Sequence, residues 1–333
     1  MESRALGRTG IKVSALGFGC GAVGGLMVRG DRNEQVRSIA RALDAGINYF
    51  DTAPSYGDGA SEENLGRALH ELRVHNRVVV GTKVRLGAAE LSSPGAAIRD
   101  SLAASLRRLG LDQVDVVHLH NPIGVETPNP ADPGVPTRAA LEEVAEGLLR
   151  SVEEGMARHV GFTAVGAADG LKRLAASPAY ETVQAYLNVL DPSGIRAGAA
   201  GGQQDFDGLI PHAAEHGVGV IAIRVYAAGA LSAGPERHPV AWLPPRPLIP
   251  GSDYDADVQR AARLQSTAYE LGLKSVLELG LRFALTAPGV STVLVGLSSF
   301  EHLEAAIGWS EQGPLPEDQF RLLLGMAEAS SVN

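Results

Sequence analysis

Eight short apolar runs, each followed by a longer amphipathic stretch, decide what this chain can fold into. The runs are Val13–Phe18, Asn48–Asp51, Val78–Thr82, Val114–His118, Val160–Thr163, Val183–Tyr186, Val218–Ile223 and Thr292–Val295. They are brief, β-branched and apolar on both faces, as in a parallel sheet covered by helices. Helical patterns lie near 34–45, 61–72, 94–109, 137–155, 168–176, 205–216, 255–287 and 300–308. Ser93-Pro94 puts a proline in a first helical turn, and Ser61, just before Glu62 and Asn64, reads as another helix start. Strict alternation fits an α/β fold of the (β/α)8 TIM-barrel type, with a short N-terminal hairpin, better than an open sheet. A length of 333 residues is also what such barrels use for a single domain, here expected over 1–333.

Three segments exceed simple connections: Asn121–Arg138 after the fourth strand, Asp191–Gln204 after the sixth, and the proline-rich Gly234–Asp255 after the seventh. In a barrel, all three would lie on the C-terminal face, where active sites are built.

Composition removes several classes of function. A net charge of −9 argues against nucleic acid, whose partners carry basic surfaces. Cys20 is the only cysteine, so a disulfide scaffold is excluded. The first residues lack the apolar core of a signal peptide, and no run approaches a membrane span of about 18 apolar residues. A cytoplasmic enzyme acting on a small molecule is the expectation. The oligomeric state is not legible.

Gly19-Cys20-Gly21-Ala22-Val23-Gly24 matches the dinucleotide fingerprint GxGxxG. That fingerprint needs a helix opening on its third glycine and an acidic residue ending a strand about 20 residues later. Here 25–31 reads as a loop, and Asp44 falls within a helical pattern. The Rossmann reading is rejected.

The informative residues sit at three successive strand ends. Asp51 closes one strand, with Tyr56 on the loop that follows; Lys83 closes the next; His120 closes the third. A free tyrosine, with a pKa of about 10, is a poor acid or base near neutrality. A lysine ammonium nearby should lower that pKa, while a buried aspartate keeps the lysine charged and oriented. A neutral histidine can donate a hydrogen bond to a carbonyl oxygen. The set suits alcohol–carbonyl interconversion, with the hydride carried by a cofactor. Singly, each residue has a plainer explanation: an ion pair, a rim aromatic, a core histidine. Jointly they read as one site. His118 is read as turned away from His120 and structural.

These residues resemble a family. Asp51-Thr-Ala-x-x-Tyr56-Gly57, Ser61-Glu62-x-x-Leu65-Gly66, Thr82-Lys83 and His120-x-Pro122 look like the aldo-keto reductase superfamily. The resemblance spans about residues 5–308. It implies a nicotinamide cofactor across the barrel mouth, NAD or NADP, and the tetrad Asp51, Tyr56, Lys83 and His120, with the tyrosine as general acid/base. It also implies cofactor contacts from Gly21, Gly229, Leu231 and Gly296, and substrate contacts from Asn121 and Tyr226. Thr163-Ala164 stands where the family usually has Ser-Asn for the carboxamide, and Gln184 matches its carboxamide-binding glutamine. Ile223-Arg224 replaces an aromatic and a serine; Arg224 would lie near the pyrophosphate, or else pair with an acid on the rim. In Val295-Gly296-Leu297-Ser298-Ser299-Phe300-Glu301-His302, Ser298, Ser299 and His302 occupy positions where NADP-preferring relatives carry strong cations. That leans toward NAD, although Arg260 or Arg263 could reach the same phosphate.

The segments around His120, Gln184, Arg224–Ser232 and Val293–Gly296 resemble a subgroup, the D-threo-aldose 1-dehydrogenases (L-fucose or L-galactose dehydrogenases) and pyridoxal 4-dehydrogenases. That resemblance implies oxidation of an aldose at C1 to its lactone. The alternative is the same machinery reducing aldehydes or ketones. Rivals of other classes are a barrel that binds NADP(H) without turnover, as a redox-sensing regulatory subunit, and a metal hydrolase using His118 and His120. No metal site is expected.

Overall fold

The computed structural model describes residues 1–124, 135–198, 204–234, 236–242 and 253–329. Two short strands, β1 (Ser3–Ala5) and β2 (Lys12–Ser14), pair antiparallel as the expected hairpin. Eight parallel strands follow: β3 (Leu16–Gly19), β4 (Tyr49–Asp51), β5 (Val79–Val84), β6 (Val114–Leu119), β7 (Ala157–Thr163), β8 (Thr182–Tyr186), β9 (Gly219–Ile223) and β10 (Val290–Gly296). They close into a barrel, β10 pairing with both β9 and β3.

The outer layer contains α1 (Leu26–Arg29), α2 (Arg32–Asp44), α3 (Ala60–Leu72), α4 (Pro94–Leu109), α5 (Arg138–Glu153) and α6 (Ala168–Ala176). It continues with α7 (Leu209–Glu215), α8 (Tyr254–Arg263), α9 (Gln265–Glu270), α10 (Val276–Thr286), α11 (Phe300–Glu311) and α12 (Glu317–Ala329). Local chemistry sets many of their ends. Asp31 caps α2 by accepting from the amides of Asn33 and Glu34, Pro94 opens α4, and the Thr137 and Ser275 hydroxyls cap α5 and α10.

Four local expectations are corrected. The run Val13–Phe18 is two strands, because Ala15 turns the chain from the hairpin into the barrel; both halves are buried, so apolarity hid the break. The stretch 25–31 contains one helical turn, α1, rather than loop alone. The pattern 255–287 is three helices, broken at Leu264 and again where Gly272, at φ +75°, ends α9. Ser61 lies inside α3, whose N-cap is Gly59, and its hydroxyl donates to the Cys20 carbonyl at 2.8 Å. Of the three long loops, residues 125–134, 199–203, 235 and 243–252 lie outside the described residues; each loop does follow the strand expected.

Successive side chains of a barrel strand alternate between axis and helices. The outward set forms the large core under the helices, including Phe18, Phe50, Val80, Val117, Phe162 and Leu303. A separate apolar cluster fills the axis at the N-terminal end: Leu6, Ile11 and Val13 from the hairpin region against Tyr49, Val79, Val116 and Ile221. The hairpin seals that end tightly. The Arg8 amide donates to the Gly217 carbonyl at 2.8 Å, and a Cβ at Gly7, whose φ is +53°, would meet the Gly219 nitrogen at 2.2 Å. Only the C-terminal mouth remains for a ligand.

Candidate active site

Moving up the axis from this plug, the inward positions turn polar. Tyr49 is followed two residues later by Asp51, Val79 by Gly81 and Lys83, and Val116 by His118 and His120. Residues two apart on a strand share a face, so His118 points into the barrel like His120, and the expectation that it turns away is corrected. It is fully buried, and its Nε2 pairs with the Thr182 hydroxyl at 3.1 Å. That contact crosses over Gly161, where a Cβ would lie 2.6 Å from the His118 ring. Its role remains within the barrel packing.

The four expected residues do come together. Lys83 Nζ donates to Asp51 Oδ2 at 2.5 Å and to the Thr52 carbonyl at 2.8 Å, with both side chains almost wholly buried. The same ammonium lies 4.7 Å from the centre of the Tyr56 ring. Tyr56 and His120 meet edge to face at 6.2 Å and 89°. The second oxygen of Asp51 accepts from Gln184 Nε2, and Gln184 Oε1 accepts from the Thr163 hydroxyl at 3.3 Å. Gln184 and Thr163 therefore join the cluster directly.

A second layer holds this geometry, and sequence reasoning had it only as part of a motif. In the first turn of α3, the Ser61 hydroxyl bonds Thr52 at 2.8 Å, next to Asp51. Glu62, fully buried, accepts from the Thr82 hydroxyl and from Arg108 Nε, both at 2.6 Å, next to Lys83. The adjacent Ser-Glu pair thus pins the two strands that carry the ion pair. A buried charge such as Glu62 is tolerated because both oxygens are paired.

The electrostatics correct one expectation. Burial pushes the Tyr56 phenol above its ordinary range, and Lys83 and Arg224 offset this only in part; the net shift is not the expected lowering. Burial works against the Lys83 ammonium, but Asp51 and Tyr56 outweigh it and keep the lysine charged. Burial likewise raises the Asp51 carboxyl, opposed by Lys83 and Gln184. At a 2.5 Å separation the pair is ionised as a unit. His120 is lowered to about 3 by burial and by Lys83, Arg85 and Arg224, so its ring is neutral at ordinary pH, as expected.

Several outer positions differ from expectation. Asn121 is fully buried; its Oδ1 accepts from the Leu86 amide and its Nδ2 donates to the Leu86 carbonyl, at 2.8 and 2.7 Å. It staples two βα loops together. The Tyr226 hydroxyl is enclosed with no partner among the described residues. Leu231 is buried beneath the mouth, where a Cβ at Gly280 would touch it, so only its backbone could meet a cofactor. Arg224 pairs with no acid among the described residues; its guanidinium lies 6.0 Å from the centre of the Tyr186 ring. Ser299 is the N-cap of α11, accepting from the His302 amide at 3.3 Å. Arg260 is bound to Asp257 and to the Leu190 carbonyl, and Arg263 is exposed.

At the far end of the mouth, two residues went unnoticed in the sequence. Glu34, in the first turn of α2, accepts from the Phe300 amide at 2.9 Å. Arg37 stacks on the Phe300 ring at 3.6 Å. Neither carries a sequence signal beyond an ordinary charged helix turn.

The donor set fits a nicotinamide cofactor. Thr163 and Gln184 offer a hydroxyl and an amide at the axis. Gly21 leaves space beside Tyr56 that a Cβ would enter, 3.8 Å from the ring. Gly229, at φ +102°, and the exposed Gly296 bring bare backbone to the rim. A sealed (β/α)8 barrel with a lysine–aspartate pair beneath a tyrosine and a neutral histidine defines an oxidoreductase of the carbonyl–alcohol class. The chain belongs to the Aldo/keto reductase family, whose model matches residues 15–327, and it is an NAD(P)-dependent oxidoreductase. It is 30% identical to L-galactose dehydrogenase of Arabidopsis thaliana, over 91% of this chain and 86% of that protein. It is 28% identical to aldo-keto reductase YhdN of Bacillus subtilis, over 93% and 90%. Among solved structures, the holo form of aldo-keto reductase AKR11C1 from Bacillus halodurans superposes with a TM-score of 0.71 at 26% identity, covering 98% of this chain and 96% of that one. Among the described residues, no helix is long and apolar enough to cross a membrane.

Proposed function

We propose that this enzyme reduces aldehydes or ketones with a nicotinamide cofactor, Tyr56 donating the proton to the carbonyl oxygen. The observation that carries this reading is the convergence of Tyr56, the buried Lys83–Asp51 pair and neutral His120 on one mouth. His120 donates a hydrogen bond that holds the carbonyl oxygen, which only an uncharged ring does without competing as an acid. Lys83 stabilises the phenolate left when Tyr56 gives up its proton, and Asp51 keeps that ammonium in place. When bound, the nicotinamide supplies the hydride. Thr163 and Gln184 would hold its carboxamide, with the backbones of Gly21, Gly229, Leu231 and Gly296, and Ser298 and His302, along the remainder. The two Bacillus relatives, both named aldo-keto reductases, agree with reduction as the direction.

Aldose oxidation at C1 is the second reading, supported by the identity to the Arabidopsis dehydrogenase. The same residues serve it with the proton moving the other way. For the cofactor, we infer a preference for NAD. At the N-terminus of α11 the Phe300 amide is already engaged by the Glu34 carboxylate, whose charge would repel a 2′-phosphate. Arg37, stacked on Phe300, is the cation such a phosphate would have to recruit.

A panel of aldehydes with NADH and NADPH, and of aldoses with NAD and NADP, tests the reading. The expected result is faster turnover of aldehydes than of aldoses. Turnover of aldoses alone would replace the first reading with the second.

A further inference from the structure

Arg224 differs from five other arginines around this barrel. Arg41, Arg108, Arg158, Arg260 and Arg282 each pair with a carboxylate. Arg224 pairs with none among the described residues, although it is half-buried. Its backbone is left-handed, at φ +60°, a conformation that is strained for a non-glycine residue. Two bonds hold that conformation: the Ala227 amide donates to the Arg224 carbonyl at 2.7 Å, and Asn188 Nδ2 donates to it at 3.3 Å. The strained turn brings the guanidinium to the Tyr186 ring, which also stacks on Phe206 at 5.2 Å.

The charges around this point do not cancel. Lys83 is matched by Asp51, which leaves Arg224 without a counter-charge among the described residues, and Arg85 stands exposed just beyond β5. Tyr186 lies two residues after Gln184 on β8 and shares its inward face, so the guanidinium near its ring stands at the mouth, where its charge also acts on the Tyr56 phenol and the His120 ring. A partly desolvated guanidinium with no acid beside it is a binding site for planar or tetrahedral oxyanions, which it holds with paired N–H donors.

We propose that Arg224 is a specificity residue that recognises a carboxylate or phosphate group on the carbonyl substrate. This rests on the reductase reading above, and it names the substrate class as small aldehydes carrying an anionic group a few bonds from the carbonyl. Charge-assisted hydrogen bonds of this kind are worth about 10–100-fold in binding.

The experiment compares matched substrates in the wild type, Arg224→Gln and Arg224→Lys. One pair is 4-oxobutanoate and butanal; the other is glyceraldehyde 3-phosphate and glyceraldehyde. The wild type is expected to favour the anionic member of at least one pair by tenfold or more in kcat/KM, and the pair with the larger ratio identifies carboxylate or phosphate. Arg224→Gln should collapse that ratio about 10–100-fold, mainly through KM, while Arg224→Lys keeps part of it. Calorimetric titration of the cofactor-loaded protein with succinate or glycerol 3-phosphate reads the same contact without turnover. No anionic preference in either pair, or equal probe binding by wild type and Arg224→Gln, overturns the proposal. So does an equal loss on both members of a pair with weakened cofactor binding, which would assign Arg224 to the cofactor. Wild-type enzyme that turns over no aldehyde defeats the reductase reading instead, and the titration then judges Arg224 alone.

Discussion

The two ends of the barrel use the same strands for opposite purposes. At the N-terminal end, Leu6, Ile11, Val13, Tyr49, Val79, Val116 and Ile221 pack into an apolar plug. Two to four residues further along β4, β5 and β6 stand a carboxylate, an ammonium and two imidazoles, all buried or half-buried. The plug lowers the free energy of folding by removing hydrocarbon from water. The mouth works against folding, since each buried ion is costly unless paired. The mouth is affordable only because the other end is sealed and because Ser61, Glu62 and Arg108 brace the strands from outside.

The sharpest way to break this contrast is Lys83→Met. It leaves Asp51 buried without its cation, and about 3–5 kcal/mol of stability should be lost, read by urea unfolding. In the same variant kcat should fall and the apparent pKa of the rate profile should rise, because Lys83 favours the Tyr56 phenolate. An unchanged pH profile would remove Lys83 from the proposed chemistry. Leu6→Ala tests the other end: a loss of about 2–5 kcal/mol with kcat per folded molecule unchanged. A matching loss of kcat would mean that the plug and the mouth are mechanically coupled.

Acid titration gives a smaller effect. An unfolded histidine titrates near 6.5, whereas His120 is lowered to about 3 in the folded protein. Between those values the unfolded chain binds the extra proton, so this stability is present above about pH 6.5 and is lost as pH falls toward 3. His118 is lowered too, chiefly by burial, and adds in the same direction. His120→Gln should flatten part of that slope; an equally steep slope would show that His120 is not the group responsible. The smallest effect concerns the cofactor. Glu34→Gln should improve kcat/KM for NADP relative to NAD by about 2–5-fold, the size of one charge at a helix N-terminus. A wild type favouring NADP by tenfold would contradict the NAD preference.

The barrel and the four mouth residues were legible because they follow from period and position. Alternation of short strands and helices implied the barrel, and strand ends on one face implied that Asp51, Tyr56, Lys83 and His120 would meet. Legibility failed where a side chain chose between two partners of equal chemistry. Nothing in Asn121 says that its amide faces Leu86 rather than solvent, and nothing in Ser299 says that it caps α11. Arg224 is a related case: its backbone is left-handed, a non-glycine residue carries no local sign of that, and the rim acid that was one of its two expected partners is not found among the described residues. The direction of the Tyr56 shift was also hidden, because it is a balance between burial and Lys83 that only the packed site determines.

The central claim is that the Tyr56 hydroxyl moves the proton. It is tested most directly by measuring kcat for aldehyde reduction at saturating cofactor in wild type and in Tyr56→Phe, with cofactor affinity determined in parallel by fluorescence titration. The replacement keeps the ring against Lys83 and His120 and removes only the oxygen. A fall in kcat of about 10²–10⁴-fold with nearly unchanged cofactor affinity is the predicted result. Retention of more than about a tenth of kcat would contradict it, because general acid/base groups contribute at least ten times more than that.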